Sequence, residues 1–187
     1  MRRIIFIRHG KTWGNLEGRY IGRTDLPLAP FGAKDVKLKK YPQADSVISS
    51  PMKRCTETAE IIYPDKEAKI YEDLRECDFG KFENKTHNEL KNDPDYINWI
   101  KSAGREPVSG GETSTECQAR CCDAFLNAVE ENEGSLAFII HGGTIMGILN
   151  RFASEKKDFY DWFCENGCGY ICDFDEETKV LYVIKKH

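Results

Sequence analysis

Two of the chain's four histidines sit in the same local setting. Residues 4–12 read IIFIRHGKT and residues 137–144 read AFIIHGGT, so His9 and His141 each follow a short apolar run and precede a glycine. A continuous apolar run that does not alternate is the pattern of a strand buried on both faces of a parallel sheet. In open α/β sheets ligands collect beyond the carboxyl ends of the strands, where loops and helix N-termini present unpaired N–H groups. The two imidazoles are therefore expected to converge on one pocket. Arg8 accompanies His9, and Gly10 permits a tight turn that brings main-chain N–H groups close to a ligand.

A third contributor comes from SSPMKRC, residues 49–55. A strand ends there at Ser49 and Ser50, Pro51 suits a first helical turn, and Arg54 falls in that turn, where the positive end of the helix dipole adds to its charge. Alone, Arg54 reads equally well as a surface cation. Two arginines and two histidines at strand ends make an electropositive cavity in a chain of net charge −4. The planar fork of arginine suits phosphate oxygens, so a phosphoester is the natural ligand. Cationic neighbours disfavour imidazole protonation, which keeps one histidine neutral and nucleophilic near pH 7 and leaves the other to donate a hydrogen bond to the phosphoryl group. An acid for the leaving group is offered by LRECDFGKFE, residues 74–83. On the residues alone Glu76 is no better a candidate than Asp78 or Glu83.

These side chains need a scaffold of alternating strands and helices. Residues 3–7, 46–49 and 136–140 read as buried strands. Helical patterns cover 31–40, 52–63, 86–102 with a break at Pro94, and 112–131, where neither glycine nor proline interrupts. The end, GYICDFDEETKVLYVIKKH, reads as two alternating strands joined by the polar turn DEETK, a hairpin at a sheet edge. The expected fold is α/β with a mainly parallel central sheet, in a single domain over 1–187.

A charge of −4 without a basic run gives no field for nucleic acid or an anionic membrane, so any anion site must be local. No stretch approaches the roughly 18 apolar residues that span a bilayer. The start, MRRIIFIRHG, is too short for a signal segment, which points to the cytoplasm. Eight cysteines, at 55, 77, 117, 121, 122, 164, 168 and 172, form no C-x-x-C pair and read as free buried thiols. A metal or redox role for Cys164, Cys168 and Cys172 on one helix face is the alternative, opposed by Gly167 and Gly169. His87, in a polar segment, and His187, the last residue, carry no expected catalytic role. Glu112 is expected to open a long helix, with a pocket-edge contact as the lesser reading.

Taken together, R8-H9-G10 with Thr12 and Asn15, S50-P51 with Arg54 and TETA, L74-R75-E76 with D78-F79-G80, G110-G111-E112 and H141-G142-G143 resemble the histidine phosphatase superfamily in order and spacing. The likeness is to the branch that holds phosphoglycerate mutases, fructose-2,6-bisphosphatases and α-ribazole phosphatases, and runs from residue 3 to about 150. It implies a three-layer α/β/α, phosphoglycerate mutase-like fold with helices on both faces of the sheet. It also implies that His9 becomes a phosphohistidine, that Arg8, Arg54 and His141 hold the phosphoryl group, and that Glu76 protonates the departing oxygen and then activates water. Asn15, Thr12 and Gly142 become substrate contacts. No metal or cofactor is implied, because fixed cations stabilise the spreading charge.

The segment GRYIGRTDLPL echoes the substrate loop of the mutases, but those carry a longer insertion after the catalytic glutamate that excludes water. Only about 36 residues separate Glu76 from Glu112, so a more open site and hydrolysis of the phosphoenzyme are expected. RCTETA and LRECDFGKFENKT look most like α-ribazole phosphatases, which makes α-ribazole 5′-phosphate one candidate small-molecule phosphomonoester. Phosphoglycerate mutase activity and a non-catalytic phospho-ligand binding module are the alternatives; oligomeric state stays open.

Overall fold

The computed structural model describes residues 1–187. Six strands, β1 (Arg2–Arg8), β2 (Ser46–Ser49), β3 (Ala68–Ile70), β4 (Leu136–Ile140), β5 (Gly169–Asp175) and β6 (Val180–Lys186), form one sheet in the order β3-β2-β4-β1-β5-β6. The four strands from β3 to β1 are parallel, and β5 and β6 join antiparallel as the expected edge hairpin. The helices are α1 (Trp13–Leu16), α2 (Pro30–Leu38), α3 (Lys53–Ile62), α4 (His87–Leu90), α5 (Pro94–Lys101), α6 (Ser114–Glu130) and α7 (Gly142–Phe152).

Burial on both faces explains the unbroken apolar strands. Ile4, Phe6, Ile48, Phe138 and Ile140 pack against Phe125 and Val129 of α6 and Ile145 and Ile148 of α7. The alternate residues Ile5, Ile7, Val47 and Ile139 meet Cys55 and Ala59 of α3 on the other face. Such a core is stabilised by about 1.5–3 kcal/mol for each fully buried large aliphatic or aromatic side chain. A separate cluster of Phe82, Leu90, Tyr96 and Val108, with Tyr20, Phe79 and Trp99 packed on it, is built mainly from the stretch after Glu76. That stretch is short, yet it folds as a cap of its own.

Three expectations need adjustment. Helix α6 opens at Ser114, capped by Thr113 and Glu116 in a reciprocal capping box, so Glu112 lies outside it. Pro51 precedes the N-cap Met52 of α3 and does not occupy the first turn. The third is an added helix: α7 shows no helical pattern in the sequence because two leading glycines and the internal Gly147 mask its periodicity. A Cβ at Gly147 would lie 3.0 Å from Cγ of Gln118, so the glycine lets α6 and α7 approach. All eight cysteines are free, and residues 164–172 form loop and strand without a helix.

Candidate active site

Register alone brings the two histidines together. Strand β1 pairs in parallel with β4, with Arg8 opposite Ile140, and the His9 amide donates to the Ile140 carbonyl at 2.9 Å. His9 and His141, the next residues along each chain, leave the sheet side by side with ring centroids 5.2 Å apart. On the far side of β4, β2 ends at Ser49 and leads into α3, which places Arg54 one residue into that helix. Glu76 follows the loop after β3. All the polar groups thus come from the carboxyl ends of four adjacent parallel strands.

Both imidazoles are buried, and their hydrogen bonds assign tautomers. His9 Nδ1 lies 2.7 Å from the Gly10 carbonyl, to which it must donate, leaving the lone pair on Nε2. Asn166 Nδ2 donates to the His9 carbonyl at 3.0 Å. Arg54 Nε donates to His141 Nδ1 at 3.3 Å, so the proton of His141 sits on Nε2, 2.8 Å from Ser50 Oγ. Burial first, then the charges of Arg54 and Arg8, holds the His9 pKa well below 6.5; burial and Arg54 do the same for His141. Both rings are neutral at pH 7. Cys55, whose Sγ lies 3.5 Å from His141 Nε2, is pushed up to about 12 by burial and remains a thiol.

Arg54 is 1 % exposed, and its guanidinium is fixed by the carbonyls of Thr24 and Gly22, both at 2.8 Å. Arg8 donates through Nη1 to the Cys164 carbonyl at 2.9 Å and lies 5.3 Å above the Phe163 ring. Its Nε is buried without any hydrogen-bond partner. An unpaired buried donor costs about 1–3 kcal/mol, so a charged N–H left in this state marks a place for an acceptor. Gly142, whose Cβ would come 3.2 Å from that Nε, brings the start of α7 close to Arg8.

Glu76 lies across the same helix start, with Oε2 accepting from the Gly143 amide at 3.0 Å and Oε1 from the Cys77 amide at 3.1 Å. The other two acids are committed elsewhere. Asp78 accepts from the Gly80 amide at 2.8 Å, and Glu83 holds the amides of Gly22 and Arg23 at 2.9 and 2.8 Å. Glu112 pairs with Arg120 at 2.7 Å and accepts from the Asp78 amide; burial opposes ionisation, but those two partners prevail and lower its pKa. Thr12 caps α1, its hydroxyl bonded to the Asn15 amide and Oδ1, so both side chains are engaged with each other beside His9. His87 bonds the Tyr96 hydroxyl and His187 stacks on Tyr41, each apart from this cluster.

A cavity of about 270 Å³ opens beside these groups. Arg8, Glu76, Gly142 and Gly143 line its polar end, and Tyr20, Phe79, Trp99, Met146, Phe159 and Phe163 supply an apolar wall. A polar groove on the other side of Glu76 carries Arg23, Arg75 and Arg120 facing Asp25, Asp78 and Glu112. Its charges are largely paired, Arg23 with Asp78 and Arg120 with Glu112.

Residues 4–186 match the family model of the histidine phosphatase superfamily, branch 1. The chain belongs to that family. It is 28 % identical over 187 residues to the uncharacterised phosphatase PhoE of Bacillus subtilis, with 95 % of this chain and 91 % of that protein covered. Phosphoserine phosphatase of Entamoeba histolytica, solved with 3-phosphoglyceric acid, superposes with a TM-score of 0.82 at 25 % identity, covering 100 % of this chain and 97 % of that one. The α-ribazole phosphatase of Shigella flexneri shares the fold, with a TM-score of 0.82, 22 % identity and coverage of 97 % and 94 %. Family membership and these phosphatase relatives support phosphatase activity.

Several members of this histidine phosphatase site were not singled out from the sequence. Ser50, quoted only as part of a motif, meets His141; Asn166 pins the His9 carbonyl; and Thr58, within TETA, accepts from the Gly10 amide at 2.9 Å while donating to the Arg54 carbonyl. Asn166 lies 157 residues from His9 and carries no local signal.

Proposed function

We propose that this chain is a metal-independent phosphomonoesterase that works through a phosphohistidine on His9 and prefers an ester whose leaving group is large and apolar, of which α-ribazole 5′-phosphate is an example. The observation that carries the reading is the pair of buried imidazoles, ring centroids 5.2 Å apart, with Arg54 bonded to one of them and Arg8 lining, with Glu76, the cavity beside them. A phosphoryl group is the ligand that such a cationic cluster fits.

In this reading His9 Nε2, neutral and aimed by the Gly10 carbonyl, attacks phosphorus as the ester oxygen leaves on the opposite side. Charge spreading over the phosphoryl oxygens meets Arg8 and Arg54, both held by main-chain carbonyls, and the Nε2 proton of His141 as it turns from Ser50 Oγ to the phosphoryl group. Glu76 gives a proton to the departing oxygen. The same carboxylate then takes a proton from water, which attacks phosphorus and frees His9. Gly142 and Gly143 keep the start of α7 against Arg8 and Glu76, while Thr12 and Asn15 act by shaping the turn after His9.

Leaving-group preference rests on the cavity wall. A carboxylate-bearing alcohol such as serine or glycerate needs an unpaired cation, and beyond the phosphate site the cavity offers aromatic rings. The test is a panel of phosphomonoesters without metal and with EDTA present. An arylalkyl or nucleoside-type ester should be hydrolysed with higher kcat/KM than 3-phosphoglycerate or phosphoserine, and quenched enzyme should carry base-stable, acid-labile phosphate on His9. Label on Ser50 or a cysteine, or loss of turnover in EDTA, overturns the mechanism. Rapid isomerisation of 3-phosphoglycerate with little free phosphate overturns hydrolysis in favour of mutase chemistry.

A further inference from the structure

Next to Glu76 in the chain and across from it around the start of α6 lies a group that the proposed phosphatase mechanism does not use. Cys77 Sγ, Cys117 Sγ and a carboxylate oxygen of Glu112 all lie within 4.8 Å of one another. Cys77 is half-buried, Cys117 is buried, and both line the apolar cavity, so solvent reaches the pair. We propose that Cys77, Cys117 and Glu112 form a binding site for a soft divalent cation, Zn²⁺ or Cd²⁺, whose occupancy inhibits the enzyme through Glu76.

The spacing suits a metal. In a tetrahedral site with Zn–S bonds of about 2.3 Å, the sulfurs sit roughly 3.8 Å from one another, inside the 4.8 Å that spans all three ligand atoms. Thiolates select Zn²⁺, Cd²⁺ or Cu⁺ over Mg²⁺ or Ca²⁺. Charge balances as well: two thiolates and one carboxylate face the cation and the Arg120 guanidinium, whose Nη2 lies 2.7 Å from Glu112 and 3.7 Å from Cys117 Sγ. The sum over these groups is zero. Binding breaks two S–H bonds, releases two protons to solvent and forms two metal–sulfur bonds, with no electron transfer.

The consequence for turnover follows from one hydrogen bond. The Cys77 amide holds Glu76 Oε1, so a cation on the Cys77 sulfur immobilises that residue and with it the proposed general acid. A carboxylate held off its productive position hands a proton to the leaving group less well. Inhibition should therefore be stronger for alkyl esters than for p-nitrophenyl phosphate, whose leaving group needs little help. Metal binding itself is independent of the phosphatase reading and is measured without substrate.

The decisive experiment titrates Cd²⁺ into the reduced full chain, following the ultraviolet thiolate-to-metal charge-transfer band and proton release, with Zn²⁺ as competitor. The expected result is one tight ion, about two protons displaced, and a loss of affinity on the order of 10²-fold or more in Cys77→Ser, Cys77→Ala and Cys117→Ser, because even residues behind the ligands typically cost 10–100-fold. Cys168→Ser, a half-buried thiol bonded to Lys39, should retain the site. Metal inhibition, scored against each variant's own metal-free rate, should vanish with the affinity. Unchanged Cd²⁺ affinity in folded Cys77→Ala and Cys77→Ser, absence of the charge-transfer band, or equal loss in Cys168→Ser refutes the site.

Discussion

Two buried neutral histidines should give this protein a pH-dependent stability that carboxylates cannot imitate. The folded pKa values of His9 and His141 lie well below 6.5, the unfolded value. For a base so depressed, the stability is fully present above the unfolded pKa and is lost as pH falls below it, because the unfolded chain takes up protons that the native site refuses. Where the native rings remain neutral, each histidine contributes RT ln(1 + 10^(6.5 − pH)) of destabilisation, at most about 1.4 kcal/mol at pH 5.5 and about 0.1 kcal/mol at pH 7.5. Two together remove up to about 2.7 kcal/mol over that interval, a sizeable part of a typical 5–15 kcal/mol. The carboxylates with lowered values, including Asp45, Asp93 and Glu112, act only below about pH 5, since their unfolded forms are ionised above it. His187 is also lowered, by burial first, but it remains partly exposed and adds little. Urea unfolding at pH 7.5, 6.5 and 5.5 should show the midpoint falling at constant m. In His9→Ala and in His141→Ala, the pH-dependent part should halve whatever the absolute stability does. A wild-type curve flat between pH 7.5 and 5.5, or variants with the full wild-type slope, would refute the neutral, desolvated pair on which the proposed nucleophilic attack depends.

Glu76→Gln should slow hydrolysis of alkyl phosphates by roughly 10²-fold or more while sparing p-nitrophenyl phosphate in single-turnover phosphorylation, as expected for loss of a general acid; equal losses on both would move the role elsewhere. Gly143→Ala puts a Cβ 2.3 Å from Glu76 Oε1, so rapid-quench kinetics should show the same leaving-group-dependent defect with the carboxylate still present. Trp99→Ala removes part of the apolar wall and should lower kcat/KM for an aromatic ester about 10- to 100-fold relative to a small aliphatic one, matching the burial of one large side chain. Thr113→Ala breaks the capping box of α6 and should cost about 1 kcal/mol in urea unfolding with unchanged kinetics.

What could be read from the sequence follows from how strongly each element is buried. Strands β1 and β4 lie inside the sheet with helices on both faces, so their apolar runs are unbroken and the histidines after them were legible as a pair. The hairpin of β5 and β6 showed its alternation because its outer strand is partly exposed. By contrast β3 is a three-residue edge strand, and α7 begins with two glycines packed against Arg8 and Glu76, which weaken its helix signal. The choice of Glu76 over Asp78 and Glu83 was open on residue type alone. It depends on which carboxylate meets the α7 amide, a contact made across 67 residues, while Asp78 and Glu83 are absorbed by nearby loop amides.

The electrostatics of the site depend on where each cation is anchored. Arg54 is buried and held by main-chain carbonyls from 22 and 24, and those residues are in turn fixed by Glu83, so a carboxylate outside the histidine pair sets the position of the cation bonded to His141. Arg8 is anchored at one nitrogen only, leaving Nε without an acceptor. The two arginines therefore differ in kind: Arg54 is held at all three nitrogens and, second to burial, disfavours protonation of both imidazoles, whereas Arg8 is held through a single nitrogen. A neutral nucleophile beside two cations is stable only while the cations are balanced by main-chain dipoles, and this chain supplies them from the Ile21–Thr24 turn and the Cys164 carbonyl. In the proposed reaction a phosphoryl dianion meets cations already held in place, which leaves little reorganisation for the transition state.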